Sequence, residues 1–227
     1  GTAPDEYLDA LGPALLHHYW LGEEWAKAAA YARDLGRRAR QRYAMREAIA
    51  YYEQALLSLS YLGDPQDGST FDVLLDWEDA AFSFRPYQDQ LEQLSKAEAI
   101  AREHHDKPRL IQALHWTASV LLARGLWTQA GPALTESLSL AEELGNEQLS
   151  VRPTYFKGLM TTFADPAEAL KWLAIAHDLS RKHNDLHIEA LALATEGQVR
   201  AQLGEFVRCQ AAIEHARQAS SRPGSPP

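Results

Sequence analysis

Cysteine is almost missing from this chain. Its 227 residues hold one, Cys209, so no internal disulfide can form, and the paired-cysteine spacings of structural zinc sites do not occur. A reducing compartment fits, and the expected location is the cytoplasm. Basic residues are also scarce. Lys and Arg number 22 against 31 Asp and Glu, a net charge of −9, which argues against general affinity for nucleic acid or an anionic membrane surface. Long apolar runs are lacking as well. No stretch reaches the roughly 18 uncharged apolar residues of a bilayer span, and Gly1 to Tyr7 has neither the basic start nor the apolar run of a signal peptide. The phosphate-cradling GxxxxGK loop followed by Ser or Thr is absent, and no cofactor is expected.

What the chain does have is a period. Ala48, Gln90, Ala130, Ala169 and Cys209 each sit in a stretch of aromatic, small, bulky and small residues, at intervals of 42, 40, 39 and 40. A unit of that length holds two helices and two turns, so the period predicts an all-α helical solenoid. The spacing has a mechanical reason. Where two helices of a hairpin cross, a small side chain lets the backbones approach, and a large one a turn later fills the groove. The preceding helices offer Ala118, Gly158 and Gly197 as the complementary small residues.

Apolar positions follow helical spacing throughout, with no sustained strand-type alternation. Eleven helices are predicted, at 5–20, 23–41, 44–62, 70–83, 87–104, 108–124, 127–144, 147–162, 166–182, 185–203 and 206–219. Asp165-Pro166-Ala167-Glu168 gives an N-cap acceptor, a first-turn proline and a carboxylate at the third position. Pro86 and Pro108 read as first-turn prolines, and Gly145 as a helix stop. Pro132 and Pro153 fall inside predicted helices, where a kink or a displaced boundary is expected. Gly63 to Ser69 is a turn-rich loop that coincides with the longest interval, and 220–227 has the composition of a linker. The expected organisation is one solenoid over 1–219, with lead-in helices over 1–28 and about five repeats over 29–219.

The units YAMREAIAYYEQAL, PYQDQLEQLSKAEAIA, LWTQAGPALTESLSLA, PAEALKWLAIAHDLS and EFVRCQAAIEHARQA resemble the tetratricopeptide repeat in its longer form of about 40 residues. No unit carries the full tryptophan, leucine-glycine, tyrosine pattern, and Gln90 stands where alanine is expected. The first part is similar to something narrower. His18, Tyr19, Trp25, Ala28, Tyr31, Gly36, Ala39, Glu47, Ala48, Tyr52 and Ala55 carry a likeness to the helical-repeat region of STAND-class signalling ATPases, including ATPase-coupled nucleotide cyclases and maltose-activator-like transcription regulators. That resemblance implies a sensor or scaffold region of a larger regulator. Ala28 precedes Ala48 by 20 residues, half a period, so one extra helix leads the array, as expected of a chain cut from a neighbour.

The residues that invite a chemical reading have structural explanations. His183 and His187 flank Asp185 in a ligand-like set, yet they straddle a predicted turn and so belong to different helices. His104-His105-Asp106 occupies an equivalent turn, where histidine suits a helix C-terminus. His17 and His18 are adjacent on a helix and diverge. Trp25 and Trp127 share the aromatic place before the small residue and are expected in the core. Cys209 takes a small-residue place, where it should be buried and inert. No metal ligand set and no catalytic residue is expected, and the chain is read as non-enzymatic.

The tetratricopeptide resemblance implies a concave face built from the first helix of each pair. Its register selects Arg33 and Arg37, then Asp72, Leu75, Asp79 and Phe82, then Gln112, His115, Ser119 and Leu122, then Arg152, Tyr155 and Leu159, and finally Leu191, Ala194 and Gln198. The mixture of charge and apolar groups suits a peptide or protein helix. The Lys and Asn clamp for peptide C-termini is missing. The expected partners are a protein or peptide and the rest of the parent chain, with oligomeric state left open. The alternative is a small-molecule receptor with a pocket lined by Trp77, Phe82, Trp116 and Tyr155.

Overall fold

The computed structural model describes residues 3–63 and 68–221, with side chains from residue 11 onward. Among them are eleven α-helices: α1 (Ala3–Leu21), α2 (Trp25–Gln41), α3 (Met45–Tyr61), α4 (Ser69–Ala81), α5 (Tyr87–Glu103), α6 (Lys107–Ala123), α7 (Trp127–Leu144), α8 (Glu147–Thr161), α9 (Pro166–His183), α10 (Leu186–Gln202) and α11 (Phe206–Ser220). The fold is all-α, of the tetratricopeptide-like solenoid class, and every helix lies where the apolar period places it, within two residues at each end. Part of the turn-rich stretch and most of the linker-like tail, residues 64–67 and 222–227, lie outside the described residues.

The helix ends follow local chemistry. Asp165 caps α9 by accepting a hydrogen bond from the Glu168 amide at 3.0 Å, and Asp185 caps α10 through the Ile188 amide at 3.1 Å. Gly145 stops α7 in the left-handed conformation, at φ 60°, where a side chain would be strained. Pro86 caps α5 from just outside the helix. Pro132 and Pro153 displace no boundary, and α7 and α8 run through them. Pro132 is exposed, so the carbonyl that loses its helical partner, four residues back, can turn to water.

Two compact units divide the chain at residue 116. In the first, Ala28, Ala32, Ala39, Ala48, Tyr52 and Ala55 are fully buried and pack with Val73, Trp77 and Ala80. In the second, Val151 and Tyr155 of α8, Leu173 and Ala176 of α9, and Ile188, Ala192 and Val199 of α10 share one cluster. The small-against-large crossing recurs in both. A Cβ on Gly36 would come within 2.5 Å of the Tyr52 ring, one on Gly158 within 3.0 Å of Leu173, and one on Gly197 within 3.0 Å of Ile213.

Three expectations need correction. Trp25 and Trp127 are half-buried rather than core, because their rings lie over neighbouring aromatics at the edge of the packing: Trp25 stacks on Tyr61 at 4.4 Å and Trp127 meets Phe163 edge-on at 6.2 Å. Cys209 is also half-buried, since among the described residues α11 packs chiefly on α10. Gln90, in contrast, keeps the small-residue place in full. It is 1% exposed, and its side-chain amide donates to the carbonyls of Arg85 at 2.8 Å, Phe82 at 3.3 Å and Ala81 at 3.4 Å, which ties down the α4–α5 turn.

The crossings predict different tolerances. Gly158→Ala meets the buried Leu173, including its backbone nitrogen at 3.2 Å, and should cost about 1–3 kcal/mol despite the better helix propensity of alanine. Gly197→Ala meets closely the side chain of the half-exposed Ile213, with the Cys209 carbonyl at 3.4 Å and Ala212 at 3.7 Å in ordinary contact, and should be near neutral. Urea midpoints of the two variants check the contrast, and equal losses would refute it.

Candidate interaction surface

Three arginines and three aspartates repeat at the same internal spacing. Arg33, Arg37 and Arg40 stand on α2, and Asp72, Asp76 and Asp79 stand on α4, each set at steps of four and three that keep it on one helical face. The structure joins them. Arg33 contacts Asp72 at 3.3 Å, Arg37 contacts Asp76 at 3.1 Å and Arg40 contacts Asp79, and the three pairs share a sequence separation of 39. Arg33 also donates to Asp76 at 2.7 Å. Asp72 reaches onward to Arg109 of α6 at 3.3 Å, and Arg109 lies over the Phe71 ring at 5.5 Å and contacts Asp106 at 3.4 Å.

Arg33, Arg37, Asp72 and Asp79 are therefore brought together, but against one another. The sequence reading missed Asp76, Arg40 and Arg109, although the matching spacing on α2 and α4 was available as a signal. The long interval stays with the turn-rich stretch: seven residues, 62–68, separate α3 from α4, where the other connections hold two to five.

The remaining expected contacts divide by exposure. Gln112 and Gln198 are exposed, while His115, Ser119 and Tyr155 are buried. Phe82 is half-buried, its ring centroid 6.0 Å from that of Trp116. In the second unit Arg152 of α8 donates to Asp185 at 3.3 Å, and the Tyr155 and Thr195 hydroxyls lie 3.4 Å apart, 40 residues apart in sequence. Burial raises the Tyr155 phenol above its usual range, against the opposing pull of the Thr195 contact. Asp185, serving as cap and ion-pair partner, is not free to join His183, which ends α9, and the exposed His187. Among the described residues no group of three or more His, Cys, Asp and Glu side chains is placed to hold a metal ion.

Beside the ladder lies an acid that composition would place in water. Glu78 of α4 is 0% exposed, and neither carboxylate oxygen has a hydrogen-bond partner among the described residues. Its place in the repeat explains this. Gly36, Glu78, Ala118, Gly158 and Gly197 each precede the small anchor of the next helix by 11 or 12 residues, so the carboxyl fills a slot that is otherwise held by Ala or Gly. Burial, and then the neighbouring Asp79 charge, push its pKa up to about 8. Burial likewise lifts the Tyr52 phenol to about 12, with Asp76 adding to it.

Two predictions follow from these charges. Asp76→Asn leaves Arg33 and Arg37 facing each other and should cost about 1 kcal/mol at low ionic strength, with the loss shrinking as salt screens the site; melting curves at low and high NaCl check this. For Glu78 the folded carboxyl holds its proton more tightly than the unfolded one, near 4.5. Its contribution is therefore neutral below about pH 4.5, becomes increasingly destabilising up to about pH 8, and is constant above that. Glu78→Gln should gain stability over the parent by about 1 kcal/mol per pH unit across that window, measured as the difference between urea titrations at pH 5, 6, 7 and 8. A difference that does not change with pH would refute it.

No protein-family model and no curated protein matches the chain. Solved structures do. A Rap protein complexed with Competence and Sporulation Factor is 16% identical, with a TM-score of 0.73 over 85% of this chain and 54% of that one. The Rap conjugation gene regulator of plasmid pLS20, in complex with the Phr* peptide, is 14% identical, with a TM-score of 0.74 over 87% and 54%. A Podosopora anserina kinesin light chain with nearly identical TPR-like repeats is 15% identical, with a TM-score of 0.62 over 84% and 93%. The chain spans about half the length of the Rap structures it matches. At such identities the likeness is one of fold, and that fold is the tetratricopeptide-like helical solenoid.

Proposed function

We propose that the chain is a non-catalytic protein- or peptide-interaction module that regulates a larger protein. The carrying observation is the one-repeat register of its first helices. Polar side chains of α2 and α4 meet at a separation of 39 residues, which makes a face that a polypeptide can follow from one repeat to the next. The arginines of that face are neutralised in place, so the surface favours recognition by shape and hydrogen bonding over capture of a polyphosphate. The two Rap structures, each determined with a bound factor or peptide, support the reading by analogy of fold.

The partner contacts in this reading are Phe82, Gln112 and Gln198, with Arg33, Arg37, Asp72, Asp79 and Arg152 as a preorganised ion-paired frame and His115, Ser119 and Tyr155 beneath the surface. The parent is a STAND-like signalling or transcription regulator in the cytoplasm, with this region as its sensor or scaffold, using neither cofactor nor direct nucleic-acid contact. Among the described residues no helix is long and apolar enough to cross a membrane. A second reading, small-molecule binding, draws on a pocket of about 350 Å³ between α2, α3 and α4, lined by Ala29, Ala30, Leu59, Leu62 and Val73 with Arg33 as its one charged group. It differs from the pocket expected from Trp77, Phe82, Trp116 and Tyr155, because Trp77 is committed to the core of its unit.

Peptides selected from a random library against the chain provide the test. Phe82→Ala with Gln112→Arg, and separately Gln198→Arg, should weaken the selected peptides by about tenfold while leaving the helical circular dichroism intact. Peptides that bind all variants equally would place recognition elsewhere. In a full-length parent, deletion of this region that left nucleotide hydrolysis and output unchanged would end the regulatory reading.

A further inference from the structure

The α4–α5 hairpin is held differently at its turn and at its crossing. At the turn, the Gln90 amide donates to the carbonyls of Ala81, Phe82 and Arg85, which binds the connection to the first turn of α5. At the crossing stands Glu78, 0% exposed, with neither carboxylate oxygen hydrogen-bonded among the described residues. In other hairpins this place is held by glycine against a bulky residue 15 or 16 positions on: Gly36 meets Tyr52, Gly158 meets Leu173 and Gly197 meets Ile213. The corresponding residue for Glu78 is Leu94, 1% exposed. Ionisation of a carboxyl enclosed there either leaves an unpaired charge in the interior or parts the helices that bury it.

The two flanks of α4 are not fastened alike. Toward α2 it carries the Arg–Asp ladder, and Val73, Trp77 and Ala80 belong to the core shared with α2 and α3. Toward α5 it is held by the Gln90 bonds at one end and by the crossing that encloses Glu78. The surrounding charges do not relieve the carboxyl. Asp79, its neighbour on α4, acts on it and opposes ionisation. Arg37 and Arg40 of α2 are turned to Asp76 and Asp79, and Arg109 of α6 to Asp72 and Asp106. Glu53 of α3 contacts Trp77 and Arg85, and the Tyr52 phenol, raised to about 12, stays neutral. Asp89, Glu92 and Lys96 of α5 are exposed, and neither the half-buried Glu98 of α5 nor the buried His115 of α6 offsets the effect of Asp79.

We propose that the α4–α5 crossing is a proton-operated joint, closed while Glu78 is protonated and opened by its ionisation, with α5 parting from α4 about the Gln90-bound turn while α4 stays on α2. In the closed form burial raises the carboxyl to about 8, against 4.5 when it is hydrated. The opened form therefore gives up the proton first, so the open-to-closed ratio rises about tenfold per pH unit between those values and levels off above them. The joint does not depend on whether the first-helix face binds peptide.

Thiol labelling reads the joint directly. In a Cys209→Ser background, Leu94→Cys places a reporter in the crossing, and its labelling rate is compared with and without Glu78→Gln so that the titration of the reporter itself cancels. The rate with Glu78 present, divided by the rate with Glu78→Gln, should grow about tenfold per pH unit from pH 5.5 to 7.5. Glu78→Ala, which returns the slot to the residue type of Ala118, should match Glu78→Gln and takes its place if the glutamine variant does not fold. A reporter at Leu59→Cys, in the α2–α3 core, should show no such growth. A ratio at the Leu94 position that stays constant with pH would overturn the proposal. Equal growth at the Leu59 position would overturn it too, since the unit would then be unfolding as a whole.

Discussion

Close approach of paired helices is the constraint from which the rest of the structure follows. Each hairpin needs a residue with almost no side chain opposite one large enough to fill the groove, and the Gly36–Tyr52, Gly158–Leu173 and Gly197–Ile213 contacts meet that need in the same way. The requirement recurs at each turn of the repeat, so it fixes the period. The period in turn sets which side chains of successive hairpins lie side by side. The Arg–Asp ladder of α2 and α4 is a by-product of that register: once residues 39 apart are neighbours, opposite charges at matching places meet without further design.

The α4–α5 hairpin shows what happens when the constraint is relaxed. Both of its small places carry longer polar residues, Glu78 and Gln90, and both side chains are buried. Gln90 resolves the problem by donating to three carbonyls, one from Ala81 at the end of α4 and two from the Phe82–Pro86 connection. Glu78 has no such outlet, and burial raises its pKa so that the neutral form prevails near pH 7. One hairpin thus combines a well-satisfied polar substitution with a costly one.

The eleven helices and most of their ends were legible in the sequence because they rest on local signals: the Asp165 cap, the Gly145 stop and the recurrence of small and bulky residues. The candidate surface was legible only as a list of positions. Charged residues on a helix look alike whether they face water, a partner or the next helix, so Arg33 and Asp72 were recognised as belonging to one face but not as each other's partners. Glu78 was invisible for a related reason, since an acid reads as solvated until its place in the repeat is compared with Gly36 and Ala118. The half-buried state of Cys209 depends on how much of α11 its neighbour α10 covers, which a repeat motif does not encode.

The constant separation along the ladder treats the helices as rulers of fixed length. Gaining or losing one residue between the ladder positions of α2 or of α4 would turn the side chains on either side of it by about 100° relative to each other and break the common register of Arg33, Arg37 and Arg40 with their aspartates. Length can change without that penalty only between helices. The longest interval of the repeats arises in that way, at the seven-residue connection before α4, so growth and shrinkage of this chain fall to its joints.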